Sequence, residues 1–441
     1  MKRNRFFVLL VFVFLFPILK AQGKEGIYFE GKDLPLEYGK IKCLVLCLGN
    51  NGELAKIAKV IVDGLAFTDQ FETELNTTKK MFSRRENLRL FRQGYSYCIF
   101  LKKLRLKKGK IKFQVIIKDT SSNETEYSGK FEDETKNYIL VGNRVCSNLS
   151  KDLIGKEGIF LNKLAFCQQL SSWNKIITLS DYSCKYQKTL TSRNKVNSVP
   201  CWHSTLPILF YTCVSKISNK LMALDLRRNK QKVICSFRGI NSQPSVSQDG
   251  KKVALCIGIT GNSEIYLYDQ MEAKKRKKRV FRQITKNGGN NVSPCFLSNG
   301  DIILCSDFEL NSPHIYYFDM KKKSLRRITK GNYNAGPSYC KINNSIVFSK
   351  VVDHVFQLFT INLDSISKSI SEKQLTFGSG DKHDPNWSEC GDYIYFAYRC
   401  PNDKGKNYYQ IAVLNIASKN TRVLTFDDKP KSFPVLKRLK T

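Results

Sequence analysis

The chain has 441 residues, of which 42% are hydrophobic and 25% charged, and its formal net charge at pH 7 is +35. That charge alone would suggest nucleic-acid binding, but an export signal at the start of the chain argues against a nucleic-acid partner. Beyond this signal no apolar stretch is long enough to cross a bilayer, so a transmembrane segment in the mature chain is excluded.

Residues 1–23 have the pattern of a cleavable secretory signal peptide. Basic residues precede fourteen apolar residues that end at Leu19, and small residues follow at Ala21 and Gly23. The apolar run is shorter than the ~20 residues that a membrane-spanning helix needs. We therefore expect export across the inner membrane, with an uncleaved anchor as the alternative.

Residues 24–153 are predicted to form a small α/β domain. Strand patterns occur at residues 41–48, 97–104 and 111–118. Four apolar residues at helical spacing predict a helix after the first strand: Leu54, Ile57, Ile61 and Leu65. A second helix within residues 131–155 is expected to end the domain, because Gly155 is a suitable C-terminal stop.

A proline recurs every 43 to 50 residues in the rest of the chain, residues 154–441. The six prolines are Pro200, Pro244, Pro294, Pro337, Pro385 and Pro434. An apolar residue stands two positions after each of them: Trp202, Val246, Phe296, Tyr339, Trp387 and Leu436. A period of this length indicates stacked structural repeats, each too small to bury its own apolar face.

Four short strands are predicted in each repeat. Third strands are expected to end in an acidic or amide residue, in four of five repeats 25 positions after the proline: Asp225, Asp269, Asp319, Asn362 and Asn415. Several fourth strands carry a basic or amide residue, an aliphatic residue and a threonine, as in Arg327, Ile328 and Thr329. This pattern is typical of a β-propeller blade. A β-sandwich with coincidental prolines is the alternative, but it would not explain the fixed offset.

The two ends of the repeat region are each incomplete. Residues 158–166, 176–179 and 189–191 supply second, third and fourth strands without a proline strand before them, while residues 433–436 supply a proline strand with no strands after it. We predict that the two ends complete one blade, so that no long sheet edge stays unpaired. The predicted fold class is therefore mostly β, a six-bladed β-propeller preceded by a small α/β domain.

Basic residues cluster between the predicted third and fourth strands. The clusters are Arg227, Arg228 and Lys230, residues 274–279, and residues 321–323 with Arg326 and Arg327. These hairpins should project from one face of the propeller. They are either a solvated surface or a surface that meets an anionic partner, such as an envelope polymer, lipid head groups or an acidic protein.

The sequence gives little support for metal binding or catalysis. The fifteen cysteines are odd in number and irregularly spaced, which favours core filling over a disulfide framework, although some disulfides stay open. No metal site, no cofactor and no catalytic residue is predicted, because serine-elbow, zinc-protease, P-loop and dinucleotide-binding motifs are all missing. His383 and Asp384 are the nearest candidate pair, and a structural or binding role suits them better.

A signal peptide, a small α/β domain and proline-anchored blades together resemble the TolB family, the exported component of the Tol-Pal envelope system. The most specific stretches are residues 57–71, 281–300 and 326–337, together with the closing pair Phe433 and Pro434. The resemblance covers nearly the whole mature chain. It implies a monomeric periplasmic adaptor without enzymatic activity that supports outer-membrane integrity and invagination during cell division.

The family resemblance also implies two partners. Members bind the lipoprotein Pal with one propeller face, through loop residues just ahead of the blade prolines. In this chain the matching residues are Ile240, Asn241, Gln243, Asn291, Val292, Ser293, Asn334, Ala335 and Asp384. The mature N-terminus binds the inner-membrane protein TolA, and it would consist here of Gln22, Gly23, Lys24, Glu25, Gly26, Ile27 and Tyr28. Deleting this segment is expected to remove TolA binding and to change Pal affinity.

Two alternative functions stay open at this stage. An exported hydrolase could use the propeller to house or gate an active site, although the serine elbow of such enzymes is missing. A polyanion-binding envelope scaffold could use the basic hairpins.

Overall fold

An α/β domain and a β-propeller follow each other along the chain in the computed structural model. The structure describes residues 39–49, 51–107, 109–365, 370–401 and 407–439. The predicted signal peptide and the segment Gln22–Tyr28 lie outside the described residues. No helix in the described part of the chain is both long enough and apolar enough to cross a membrane.

The α/β domain is a five-stranded sheet with helices packed against it. Its strands are β1 (Ile41–Leu48), β2 (Phe71–Thr78), β3 (Tyr97–Lys107), β4 (Lys110–Asp119) and β5 (Thr125–Glu134). Its helices are α1 (Gly52–Phe67), α2 (Arg84–Arg92) and α3 (Tyr138–Ile154). The strand order is β2-β1-β3-β4-β5, and β1 runs parallel to both of its neighbours. All four predicted core residues of α1 are fully buried, as their spacing requires.

The C-terminal helix of this domain starts later than the sequence pattern suggested. Phe131 belongs to β5, where its ring stacks on Phe113 of β4 with ring centroids 5.6 Å apart. Thr135–Asn137 forms a 3₁₀ turn that leads into α3. Gly155 ends α3 in the left-handed conformation, with φ of 73°, which confirms the predicted stop.

The propeller contains twenty-four described strands. They are β6 (Asn162–Ser171), β7 (Asn174–Asp181), β8 (Gln187–Thr189), β9 (Val196–Trp202), β10 (Ile208–Ser215), β11 (Ser218–Asp225), β12 (Lys230–Cys235), β13 (Asn241–Val246), β14 (Lys252–Ile257), β15 (Glu264–Asp269), β16 (Phe281–Gln283), β17 (Asn291–Phe296), β18 (Ile302–Ser306), β19 (His314–Asp319), β20 (Ser324–Arg327), β21 (Asn334–Cys340), β22 (Ser345–Val352), β23 (Val355–Asn362), β24 (Glu372–Gln374), β25 (Lys382–Trp387), β26 (Tyr393–Pro401), β27 (Asn407–Asn415), β28 (Thr421–Val423) and β29 (Lys431–Arg438). A short helix, α4 (Gln270–Arg276), follows β15, and a 3₁₀ turn, Leu363–Ser365, follows β23.

Sixteen of these strands form four separate four-stranded antiparallel sheets: β13–β16, β17–β20, β21–β24 and β25–β28. The other eight strands form one sheet. It consists of β9–β12 and of β29 with β6, β7 and β8, and the two groups are joined by the single residue pair Lys175 and Val196.

The closing strand behaves as predicted. β29 pairs antiparallel with β6, from Lys431 opposite Gln168 to Arg438 opposite Asn162. Strands from the two ends of the repeat region therefore share a sheet, and the ring closes without leaving the edge of β6 exposed.

The repeated proline marks a bulge in the first strand of each repeat. In β13, Gln243 and Pro244 lie opposite the single residue Leu255, and the same shift of register occurs in β9, β17, β21, β25 and β29. The residue before each proline has a positive φ between 50° and 65°: Val199, Gln243, Ser293, Gly336, Asp384 and Phe433. Proline suits this position because the extra residue of a bulge needs no ladder donor.

The other repeated residues close turns. Each predicted third strand ends at its acidic or amide residue, and Asp319 accepts hydrogen bonds from the backbone N–H groups of Lys321 and Lys322 in the following turn. The threonine after the fourth strand extends the ladder with its side chain. In one repeat Ile315 N–H donates to Thr329 Oγ1 over 2.9 Å, and the same contact recurs in others.

The α/β domain contacts the sheet β25–β28 through the C-terminal end of α1. The Arg422 guanidinium on β28 donates to the carbonyl of Phe67 over 3.0 Å and pairs with the carboxylate of Asp69. The apolar core is also continuous across this contact, because α1 and α3 share a cluster of buried residues with Tyr182 and Tyr395 of the propeller.

Cysteine serves as a core residue in both parts of the protein. Fourteen cysteines among the described residues carry free thiols, and ten of them are buried. Cys256 and Cys305 each stand one residue before the end of a second strand, β14 and β18, and burial raises the pKa of both thiols, to about 11 and about 12. The core-filling interpretation is therefore confirmed for these positions.

Candidate protein-docking face

One end of the propeller carries the loops that precede the first strands and the turns that join second to third strands. These segments share an end because each blade is an antiparallel meander. Backbone hydrogen bonds tie them together: Gly258 N–H donates to Ile240 O over 3.0 Å, and Val351 N–H donates to Tyr333 O over 3.1 Å. We call this end the docking face.

A buried polar side chain anchors every loop on the docking face. It stands three residues before each proline: Asn197, Asn241, Asn291, Asn334, Lys382 and Lys431. Each side chain donates hydrogen bonds to groups of the loop in front of its strand. Burial costs are thus offset by satisfied donors, and the loops are held rigid.

Asn241 and Lys382 anchor their loops with different donor groups, an amide and an ammonium. The Asn241 amide donates to the carbonyls of Phe237 over 2.7 Å, Gly239 over 3.2 Å and Asn219 over 3.1 Å. The Lys382 ammonium reaches three successive carbonyls of its loop, the nearest being that of Ser379 at 3.0 Å. Burial lowers the pKa of Lys382, and that of Lys431 is lowered for the same reason.

The predicted contact residues therefore divide into two groups. The side chains of Asn241, Asn291 and Asn334 are fully buried, so they position the docking face and do not themselves offer a contact surface. Ile240 is exposed. The remaining predicted residues are partly exposed at the bulges: Gln243, Val292, Ser293, Ala335 and Asp384. The structure brings all nine to one end of the propeller.

The bulge residues link neighbouring blades around the central channel. Gln243 Oε1 accepts a hydrogen bond from Ser293 N–H over 2.9 Å, and Asp384 Oδ2 accepts one from Phe433 N–H over 3.2 Å. The surrounding protein raises the pKa of the Asp384 carboxyl to about 6, and the hydrogen bond from Phe433 only partly offsets this burial effect.

Exposed apolar side chains are the feature of the docking face that sequence reasoning missed. Nine of them lie on its loops and turns: Trp173, Ile217, Phe237, Ile240, Ile259, Leu310, Tyr333, Phe377 and Phe426. Phe377 and Phe426 are 73% and 78% exposed, although they follow the buried threonines of adjacent repeats. An apolar residue directly after the threonine, in a loop that should be polar, is the sequence signal that could have revealed them.

The opposite end of the propeller differs in character. A cavity of about 440 Å³ opens there, lined by Trp202, Phe296, Tyr339, Trp387 and Leu436 among others. These are the apolar residues that follow the prolines. The basic hairpins between third and fourth strands also lie at this end, and α4 carries part of the cluster at residues 274–279.

The pair His383 and Asp384 does not form a catalytic arrangement. The His383 ring packs against Phe356, with ring centroids 4.1 Å apart, and against Tyr409 at 5.5 Å. Burial lowers the pKa of His383. Asp384 instead accepts a backbone hydrogen bond from Phe433, so the two residues have separate structural partners. Among the described residues no group of three or more His, Cys, Asp or Glu side chains could hold a metal ion.

Comparison with known proteins gives a consistent result. A family model for the TolB β-propeller domain matches residues 150–435. The Tol-Pal system protein TolB of Francisella tularensis subsp. holarctica (strain OSU18) is 26% identical over 306 residues, which cover 66% of this chain and 68% of that protein. The protein of the same name from Helicobacter pylori (strain ATCC 700392 / 26695) is 25% identical over 263 residues, covering 57% of this chain and 60% of that protein.

A solved structure agrees in fold. The crystal structure of TolB from Acinetobacter baumannii aligns with 90% of this chain and 97% of its own, with a TM-score of 0.77. The identity in this alignment is 18%, so the likeness concerns the fold alone.

Proposed function

Because the chain belongs to the TolB β-propeller family, we propose that it is a periplasmic adaptor of the Tol-Pal system that acts by binding and not by catalysis. In this proposal it links TolA to the lipoprotein Pal and supports outer-membrane integrity and invagination during cell division. The ring of exposed apolar side chains on the docking face is the observation that carries the proposal.

The docking face has the composition of a protein-binding surface. Exposed aromatic residues at its rim, such as Phe377 and Phe426, and aliphatic residues such as Ile217 and Ile259 are costly to leave in water. Aromatic anchors of this kind supply most of the binding energy at protein interfaces. The buried anchors behind them hold the loops in place, so little ordering entropy is lost on binding.

The ring architecture supports the same function. We propose six blades, in which the eight-stranded sheet counts as two four-stranded blades joined at Lys175 and Val196. Each blade then contributes one anchored loop to a concave surface that suits a small folded partner. We also propose that the mature chain consists of the domain 24–153 and the propeller 154–441 after cleavage of residues 1–23.

The experiment that tests Pal binding compares two sets of substitutions with matched exposure. Phe377→Ser with Phe426→Ser removes two anchors from the docking face. Ile342→Ser removes an apolar side chain that is 71% exposed in the turn between β21 and β22, at the opposite end. Affinity for the soluble domain of Pal, measured by calorimetry, should fall by about 30-fold or more in the first variant and stay unchanged in the second. Equal affinity of all three proteins for Pal would refute this docking face.

The TolA contact is tested separately. Deletion of Gln22–Tyr28 should abolish TolA binding in a pull-down from purified components and should change Pal affinity, because coupled sites affect each other reciprocally. Retained TolA binding would show that another surface carries this contact.

A second candidate function is an anion-binding scaffold that uses the basic hairpins of the propeller. The observation that favours it is the run of exposed cations at Lys274, Lys275 and Lys277 on and after α4. Neutralising residues 274–279 should then reduce the salt-dependent retention of the protein on envelope fractions. If retention does not change, these residues serve only as a solvated surface.

A further inference from the structure

The hairpin formed by β3 and β4 extends beyond the rest of its sheet. The pairing of β1 with β3 ends at Leu48 opposite Lys102. β3 continues to Lys107 and pairs there with β4 alone, so its last five residues form an exposed sheet edge. Basic residues occupy most of this projection. We call these described residues the β3–β4 basic hairpin, to distinguish them from the basic hairpins of the propeller: Lys102, Lys103, Arg105, Lys107, Lys110 and Lys112.

Like charges face each other across this hairpin. Arg105 lies opposite Lys112, and Lys107 lies opposite Lys110. Opposed residues share one face of a sheet, and these four side chains line a hollow of about 260 Å³ together with Glu132. The hollow contains one described ion pair, between Lys112 and Glu132 at 3.2 Å. Each cation lies within about 7 Å of the next, which is unfavourable unless an anion compensates the charge.

A second group of cations continues the surface. Lys79 and Lys80, which follow β2, line a cavity of about 450 Å³ with Lys102 and Lys103. All four lysines are exposed. Within the described residues none of the four has a carboxylate within 4 Å.

Protection of the sheet edge explains only part of this arrangement. Lysine on an edge strand prevents unwanted strand pairing, which accounts for the cations on β3. Lys110 and Lys112 lie on β4, which is paired on both sides, with β3 and with β5. On β5, Glu134 lies opposite Lys110 and Glu132 lies opposite Lys112, so each lysine of β4 has an acidic cross-strand neighbour. Glu134 also pairs with Lys136 at 2.5 Å, so these two carboxylates compensate only part of the charge of the four opposed cations.

We propose that the β3–β4 basic hairpin binds the phosphate head groups of an anionic lipid surface. A projecting tip with four closely spaced cations can meet several phosphates of a flat surface at once. Leu104, the extra residue at the bulge of β3, is 41% exposed and offers an apolar contact to the acyl boundary. The described residues of the hairpin include no exposed aromatic side chain for base stacking, which disfavours a nucleic-acid partner.

The test uses the full chain and vesicles of defined composition. Lys107→Gln with Lys110→Gln removes one opposed pair, and this change relieves repulsion, so the variant should fold. Lys188→Gln with Lys195→Gln is the matched control, because both lysines are exposed in the propeller and have no described ion pair. Co-sedimentation with vesicles containing 30% phosphatidylglycerol should fall by about 30-fold for the hairpin variant and should not change for the control.

Further arms identify the source of the phosphate. Wild-type protein should not bind vesicles of pure phosphatidylcholine. Leu104→Ser should weaken binding to anionic vesicles and leave binding to soluble inorganic polyphosphate unchanged. Wild-type binding to polyphosphate but not to anionic vesicles overturns the proposal in favour of a soluble polyanion. Equal vesicle binding by the hairpin variant and the control also overturns it. Pal binding should be the same in all these variants, so failure here is distinct from failure of the proposed function.

Discussion

Loss of the Arg422 guanidinium should weaken the contact between the α/β domain and the propeller. The Asp69 side chain is only 6% exposed and forms an ion pair with Arg422. Arg422 also donates to the carbonyls of Phe67 and Ala66 at the end of α1. Two other donors remain on Asp69 Oδ2, namely Ser418 Oγ at 2.8 Å and Asn415 Nδ2 at 3.3 Å.

These contacts set the expected magnitude. Removing one partner of a buried ion pair lowers the free energy of unfolding by about 3–5 kcal/mol. For Arg422→Met we expect a loss at the lower end of this range, about 3 kcal/mol, because Asp69 keeps two hydrogen bonds. Asp69→Asn removes the charge and should cost about 1–2 kcal/mol. The double variant should cost less than the sum of the two by about 1–2 kcal/mol, since both changes remove the same interaction.

Urea unfolding followed by fluorescence, together with limited proteolysis, measures these differences. Arg399→Met is the control, because Arg399 pairs with Asp381 at 3.5 Å on the same sheet but has no described contact with the α/β domain. Because the Arg399 side chain is 49% exposed, this ion pair should contribute at most about 1 kcal/mol. If Arg422→Met costs no more than Arg399→Met, or if the costs of the two junction substitutions are additive, the assigned role of the junction is wrong.

Three further predictions concern the propeller. The raised pKa of Asp384 means that the folded protein binds more protons than the unfolded chain between pH 4 and 6, so the stability contribution of this residue falls as pH rises through that window. Asp384→Asn should therefore gain up to ~3 kcal/mol relative to wild type at pH 7.5 but not at pH 4, as measured by urea unfolding at both values. Asn241→Ala should cost about 3 kcal/mol and increase hydrogen exchange in the loop 236–240, because three carbonyls lose their donor. Burial raises the pKa of thiols such as Cys235 and Cys305 to about 12, so a thiol reagent at pH 8 should label them only after denaturation, with mass spectrometry as the readout.

The propeller could be predicted in detail because its local chemistry repeats. Each repeat has a proline at the bulge of its first strand and a residue that closes the turn after its third strand, as Asp319 does in one repeat. Because both residues have the same structural role in each copy, the spacing between them stays nearly fixed. Strands β2 and β5 escaped prediction for the opposite reason. β2 is mostly polar and exposed, with Phe71 its one buried residue, so it lacks the alternation that a half-buried strand would show. β5 alternates only between exposed and partly buried residues, and Gly129 and Asp133 share its inner face with Tyr127 and Phe131, so the apolar pattern is weak.

The docking face could be predicted only in outline. Ile240 and Asn241 are neighbours in sequence, yet the apolar side chain is exposed and the polar one is fully buried. Residue type alone predicts the reverse. The amide turns inward because it donates to three backbone carbonyls, two in its own loop and that of Asn219 on β11. The sequence of a single repeat does not reveal these hydrogen bonds. The recurrence of Asn or Lys three positions before each proline was the available signal.

The sheet β25–β28 connects the docking face to the α/β domain, which permits a direct test of coupling. The loop before β25 carries the exposed Phe377, while β28 carries Arg422, which holds the end of α1. A change at the N-terminal segment can alter Pal affinity only if the two states of this connection bind Pal differently.

Pal affinity should therefore be measured in four proteins: wild type, the deletion of residues 22–28, Arg422→Met and the combination. We expect the deletion to change Pal affinity in the wild-type background and to have no effect once Arg422 is replaced. The same change of affinity in both backgrounds would mean that coupling bypasses this junction. The described hydrogen bond from Lys185 to Asp63, at 2.6 Å, would then be the next contact to remove, because it joins α1 to the propeller at a different blade.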